Sequence, residues 1–363
     1  MQAIETGYFG KESTSFLESL KVTADSRRAY GWDWRVSTLD ISAERGMLKV
    51  QSPNGDIRTL KPTVWAHGQI AEKTGIRKEY YDRILDEASI AGKPDIYGSN
   101  VNYWLHEYPK VVLVRQFNNE LIGLLSDKYR VIDNYDVAMG LLKAVAQKVK
   151  ETGHQMRMAH AYVSPQSMSY TVYDENSEVT LPSNPKDKYW LGVSVKNSEV
   201  GYTAFEVAPL IVRQVCTNGM IRENPLRKRH IGSRGEEGDI WSDRTKVIES
   251  ELVLSQVTDM VNYALDKENI QDYLSKLDKL NEVHVDPTGF VKASEVFKVN
   301  QNDMKIIMGA LESNTAYSLI QSMTSYANKL LESSPTPEKG TELQRLAGKI
   351  IEDKDIWKML EGN

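Results

Sequence analysis

Apolar and polar residues alternate in short runs through the first two thirds of the chain, and helical spacing replaces alternation in the last third. Trp32, Trp34, Val36, Leu39 and Ile41 read as a strand with alternating apolar positions. Met47 to Gln51 and Ile57 to Leu60 flank Ser52-Pro-Asn-Gly-Asp56. Asn-Gly between alternating runs predicts a hairpin, because both central turn positions favour positive φ. A second hairpin is predicted for Lys110 to Phe117 and Glu120 to Leu125 across Asn118-Asn119, since asparagine tolerates the left-handed conformation. Residues 155–173 alternate again as two strands meeting near Ser164-Pro165. Tyr189 to Val195 and Thr203 to Ala208, joined through Asn197 to Gly201, close the β-rich part.

Helical patterns punctuate these strands. Thr63 to Lys73 reads as a short helix stopped at Gly75, and Arg77 to Ala88 as a second with Tyr80, Tyr81, Ile84 and Leu85 on its apolar face. A helix, a glycine turn and a helix invite a DNA-reading interpretation. Asp82, Asp86 and Glu87 on the second helix oppose it, so two helices packed on a sheet are expected. A longer helix is expected from about Tyr135 to Lys150, capped by Asp133 or Asn134, with a stripe of Val137, Leu141, Leu142, Val145 and Val149. The apolar run Pro209 to Met220 fits a buried strand or a helix. A helix is expected, because proline suits a first turn and Asn218-Gly219 a C-cap.

After Gly238 only helical spacing remains, at residues 246–265, 270–280, 303–311, 317–331 and 343–351. The expected architecture is α+β: antiparallel β-hairpins with packed helices, then a helical C-terminal region. The expected divisions are an N-terminal segment 1–24, a core domain 25–238 and a helical region 239–363.

The formal net charge of -5 excludes a globally basic nucleic-acid protein but not a local basic face. Cys216 is the single cysteine, which excludes an internal disulfide and a multi-cysteine zinc site and fits a reducing cytosol. The N-terminus lacks the pattern of a signal peptide, and no apolar run approaches the ~18 residues that span a bilayer. A soluble, cytoplasmic protein without membrane contact is expected.

Candidate chemistry is sparse. None of His67, His106, His154, His160, His230 and His284 stands in metal-ligand spacing, so no metal or other cofactor is expected. Cys216 precedes an apolar-flanked turn and reads as a buried structural thiol rather than a nucleophile served by His230. There is no GxSxG, P-loop or GxGxxG pattern, and enzyme activity is not supported.

The basic run is the strongest signal. Arg213, Arg222, Arg227, Lys228, Arg229 and Arg234 face only Glu223 between residues 213 and 234, and His230 adds a titratable ring. Arginine forks suit phosphate oxygens, so these residues are the candidate nucleic-acid contacts, with Lys128 and Arg130 extending the groove. The alternative is a solvated loop or a subunit patch that meets the acidic run Glu236-Glu237-Gly-Asp239. Tyr97, Tyr103, Trp104, Tyr189, Trp190 and Tyr202 in the β-rich part are either stacking platforms for single strands or core residues.

The runs VLVRQFNNELIGLLSDKYRVIDNYDV, LGVSVKNSEVGYTAFEVAPLIVRQVCTNGMI and RKRHIG resemble the phage- and plasmid-borne family catalogued as domain of unknown function 932, over roughly residues 65 to 350. That resemblance implies a mobile-element setting, in the cytoplasm of a bacterial host, and carries no catalytic residue. In outline the hairpin-and-helix core with a basic strip is also similar to Rad-fifty-two-like single-strand annealing proteins. The expected partners are single-stranded nucleic acid, DNA in particular, and further copies of the chain. The rival expectation is a structural or interaction protein that uses the basic loop for subunit or host-protein contacts.

Overall fold

A computed structural model describes residues 33–362, apart from residues 118, 165, 215–217, 223–224, 229–242, 287, 290, 293–294, 296–297 and 334–337. The protein is α+β, built on two six-stranded sheets. The first sheet comprises β1 (Asp33–Ser37), β2 (Ile41–Glu44), β3 (Met47–Gln51), β4 (Ile57–Pro62), β5 (Val111–Phe117) and β6 (Glu120–Ser126), in the order β1-β5-β6-β4-β3-β2. Both predicted hairpins are present, β3–β4 turning at Gly55 with φ of 89° and β5–β6 at Asn119 with φ of 64°. The alternating stretch around Trp34 is two strands rather than one. A 3-10 turn, Thr38–Asp40, interrupts it where the Ser37 hydroxyl accepts from Leu39 N, and Leu39 is left 57% exposed.

Helices α1 (Val64–Thr74), α2 (Lys78–Ala88) and α3 (Ile96–Glu107) pack on this sheet. The Thr63 hydroxyl caps α1 by accepting from Ala66 N at 3.2 Å, and Gly75, at φ 68°, ends it. Helix α3 was not apparent in the sequence. Its buried face, Tyr97, Val101 and Leu105, is interleaved with Asn100, Asn102, Tyr103 and Trp104, which dilutes the apolar period. Asp95 starts it by accepting from Gly98 N at 2.8 Å. Gly98 permits the close approach to β2, since a Cβ there would lie 2.7 Å from the Ala43 carbonyl oxygen.

The second sheet comprises β7 (Met156–Val163), β8 (Met168–Thr180), β9 (Lys188–Asn197), β10 (Phe205–Arg213), β11 (Asn218–Ile221) and β12 (Leu226–Lys228). The order is β11-β10-β9-β8-β7, with β12 also pairing with β10. Pro209 lies inside a strand, contrary to the expected helix. Val207 and Ile211 enter the main core while Ala208, Leu210 and Val212 pack on the opposite face, so the run is apolar throughout because both faces are buried. Pro209 fits because its carbonyl accepts from Arg222 N at 2.8 Å and its donorless nitrogen faces the same flank, at the break between β11 and β12.

Around this sheet lie α4 (Asn134–Thr152), α5 (Asp243–Ala264), α6 (Gln271–Lys279), α7 (Gln301–Gly309), α8 (Ala316–Ser333), α9 (Glu338–Glu352) and α10 (Lys354–Leu360). Val137 and Leu141 of α4, Tyr170 and Val193 of the sheet, Val257 of α5, Leu319 of α8 and Ile350 of α9 share one core. The hydrophobic core therefore does not divide where composition changes near residue 238. A separate cluster, from Trp34 to Leu124, packs the first sheet under its helices, and smaller clusters join Leu113 and Leu125 to Tyr129, and Phe117 and Ile122 to Val200. No helix among the described residues is long and apolar enough to cross a membrane.

Candidate nucleic-acid interface

The loop from Asn197 to Tyr202 joins the two halves, and its hydrogen bonds fix where the candidate cations stand. Tyr129 donates its hydroxyl to the Ser198 carbonyl and accepts from Gly201 N, both at 3.0 Å. The Val200 carbonyl accepts from Trp65 Nε1 at 3.0 Å and from Gln69 Nε2 at 2.8 Å. Glu199 Oε1 accepts from Asn134 N at 2.7 Å, at the start of α4. Asn197 Nδ2 donates to the Ile132 carbonyl at 2.8 Å. Gly201, at φ 75°, provides the left-handed residue that this tight path requires. The polar run Asn-Ser-Glu-Val-Gly in the sequence is thus a clasp rather than a solvated turn. Its only sequence signal is a Gly-terminated polar stretch between two apolar strands.

Lys128 and Arg130 are exposed on either side of Tyr129, which is buried against this clasp. The clasp leads into β10 at Phe205, and Phe205 pairs with Lys228 of β12. The two groups of expected cations, a hundred residues apart in sequence, therefore reach the same end of the second sheet. Next to them Arg227, Glu206, Lys196, Ser169 and Tyr162 form one cross-strand row, and directly opposed residues share a sheet face. Glu206 is buried in that row and ion-paired with Arg345 of α9, with Arg227 Nε at 3.8 Å. A buried carboxylate requires such countercharge, because desolvation otherwise favours its neutral form.

The remaining residues of the basic run part company. Arg227 is 62% exposed. Arg213 and Arg222 do not join it at the surface. Arg213 donates from Nε to Asp187 Oδ1 at 2.7 Å, beneath Tyr317, whose hydroxyl also donates to Asp187. Arg222 is buried between the rings of Tyr263 and Tyr273, each with its centroid 5.5 Å away. Both arginines are held by internal partners, Arg213 beneath α8 and Arg222 between α5 and α6. Lys228 continues the backbone of β12, while its side chain and the residues Arg229, His230 and Arg234 lie outside the described residues, as does Cys216.

The aromatic candidates separate in the same way. Tyr97 and Tyr189 are fully buried, Trp190 stacks on Tyr173 at 4.9 Å, and Tyr202 lies edge-on to Trp65. Tyr103 and Trp104 are exposed on α3, on a helix rather than the expected strand. Burial holds the phenol of Tyr97 up at about 12. His67 accepts or donates through Nδ1 to the Tyr81 hydroxyl at 2.8 Å, which meets the Tyr97 hydroxyl at 3.1 Å. Burial, with the nearby Lys78 charge, lowers His67 to about 4. Burial alone lowers His160 to about 4. Among the described residues no group of three His, Cys, Asp or Glu is placed to hold a metal ion.

Comparison with protein-family models, curated proteins and solved structures finds no match to this chain.

Proposed function

We propose that the protein is a non-enzymatic single-stranded nucleic-acid-binding protein, with DNA as its strand. It acts as an annealing or recombination accessory of a phage or plasmid, and works as a homo-oligomer. The supporting observation is the convergence of Lys128 and Arg130 with Arg227 and the backbone of Lys228 at one end of the second sheet, through the Tyr129 clasp. Cations from distant parts of a net-acidic chain, gathered at one end, suit a phosphate backbone.

Titration of a labelled single-stranded oligonucleotide against the protein at several salt concentrations tests the reading. The expected result is an affinity that falls linearly with the logarithm of salt. A variant with Arg227, Lys228 and Arg229 all changed to Ala should bind more weakly with a shallower slope. No binding at low salt, or unchanged binding by that variant, overturns it.

A second reading is favoured by one observation, that Arg213, Arg222 and Arg227 all have partners within the chain. In that reading the protein is a structural or interaction protein whose basic loop docks on a subunit or host protein. Sedimentation in low and high salt discriminates: an oligomer that salt dissolves, with no co-purifying nucleic acid, selects the second reading.

A further inference from the structure

Three neighbouring aromatic rings at the end of α3 stand outside the hydrophobic clusters of the described residues. Tyr103, Trp104 and Tyr108, at the C-terminal end of α3, are 56%, 40% and 62% exposed. Trp104 and Tyr108 are nearly parallel, 12° apart with centroids at 6.5 Å, and Tyr103 meets Trp104 edge-on at 5.0 Å. The opposite face of α3, Tyr97, Val101 and Leu105, supplies the packing that holds the helix. The outer rings are therefore positioned by the fold without being used by it.

Strand register brings these rings and several cations to one end of the first sheet. Tyr108 and Lys110 lead directly into β5, Val111 pairs with Ser37, and Val112 pairs with Ser126. Lys128 follows Ser126 by two residues. Arg35 donates from Nε to the Asp127 carbonyl at 3.2 Å, and so reaches this end of the sheet from the face opposite α3, where its partner Leu113 packs with Tyr129. Lys110, Lys128, Arg35 and Arg130 are all exposed here. The acids of this end are Asp40, Glu107 and Asp127, and the Asp127 carboxylate accepts from Ser126 Oγ and from Lys128 N. Aromatic rings interleaved with lysine and arginine suit a flexible strand that offers bases to the rings and phosphates to the cations.

We infer that Trp104 and Tyr108 are the base-stacking platform of the proposed single-strand site, a step that rests on the nucleic-acid reading above. Stacking is indifferent to base identity and insensitive to salt, whereas the cation contacts supply the salt dependence. The strand runs from the rings past Lys110 to Lys128 and Arg130.

The test uses the full chain, a labelled oligothymidine and an abasic strand of the same length, titrated at several salt concentrations. Trp104→Ala and Tyr108→Ala should each weaken oligothymidine binding by about tenfold, with the salt slope unchanged. Trp104→Phe and Tyr108→Phe should retain most of the affinity. The abasic strand should bind the wild type and the alanine variants alike. Circular dichroism and sedimentation confirm that fold and assembly are kept. Full affinity in the doubly substituted variant overturns the inference while the wild-type binding leaves the nucleic-acid reading standing. Absence of wild-type binding at low salt overturns both. Loss of affinity only together with dissociation of an oligomer also overturns it, and assigns the rings to a contact between copies.

Discussion

Arg115, buried in the middle of β5, donates from Nη1 to the carbonyl of Glu199 at 2.8 Å. The same guanidinium reaches Asp33 at 3.1 Å from Nε and Asp133 at 3.2 Å from Nη2. One side chain thus ties the edge strand β1, the N-cap of α4 and the clasp before β10 into a single charged node. Burial raises the pKa of Asp33, and the Arg115 charge opposes that rise.

Replacing Arg115 by Met leaves two partly buried aspartates without their shared cation. Breaking a fully buried pair costs about 3–5 kcal/mol, and some remaining water contact at Asp33 and Asp133 reduces this to about 2–4 kcal/mol. Urea denaturation should show the loss as a lower midpoint. A variant as stable as the wild type would refute the role given to this node.

Gly348 of α9 lies against β11 so closely that a Cβ would fall 1.6 Å from the Ile221 carbonyl oxygen. Gly348→Ala must push the helix off the strand, and overpacking of this kind costs about 1–3 kcal/mol or more. Gly68, inside α1, has nothing within 4 Å of its ideal Cβ. Gly68→Ala should raise stability by about 0.5–1 kcal/mol through helix propensity alone. Thermal melts of the two variants should move in opposite directions.

His67 has a folded pKa of about 4, below the ordinary histidine value, because burial and Lys78 disfavour its charged form. The unfolded chain takes up the proton first as pH falls. Stability from this group is therefore full above about pH 6.5, declines between 6.5 and 4, and changes no further below that. With its partial exposure to water the effect is about 1 kcal/mol. Melting temperatures from pH 7 to pH 4.5 should fall less in His67→Gln than in the wild type. His160, lowered in the same direction, leaves a residual slope in that variant.

Arg213 and Arg227 belong to one basic run but answer to different forces. Arg213→Ala removes the charged partner of the buried Asp187, which keeps its tyrosine donors, and should cost about 3 kcal/mol of stability, with the salt slope of nucleic-acid binding unchanged. Arg227→Ala, at an exposed position, should leave stability within about 0.5 kcal/mol and lower the salt slope by about one. Denaturation curves paired with salt titrations separate the two. Equal effects on binding would contradict the internal role of Arg213.

Local chemistry was legible wherever a short stretch decides its own conformation. The Asn-Gly turn before β4, the Gly75 stop of α1, and Val137 and Leu141 on the buried stripe of α4 each depend on neighbours within a few residues. Helix α3 was not legible, because its buried residues, Tyr97, Gly98, Val101 and Leu105, are outnumbered by polar and aromatic residues that face outward. The strand β10 was not legible either, because a run apolar on both faces has no period to report. The core clasp at Asn197 to Tyr202 depends on Trp65, Gln69 and Tyr129, which lie some 70 to 135 positions away in the chain.

The amino-acid sequence by itself determined the α+β class, the hairpins, most of the helices and the presence of a basic run in an acidic chain. These follow from propensity, turn chemistry and periodicity, which act over a few residues. Only the tertiary structure decided which of the arginines turn inward and which face solvent. It also decided that the last helices complete the core of the second sheet, and that Tyr103, Trp104 and Tyr108, at the end of α3, are left exposed. Burial is a property of the packed whole: whether Arg222 lies between two tyrosines or Arg227 meets water depends on helices that arrive tens of residues later.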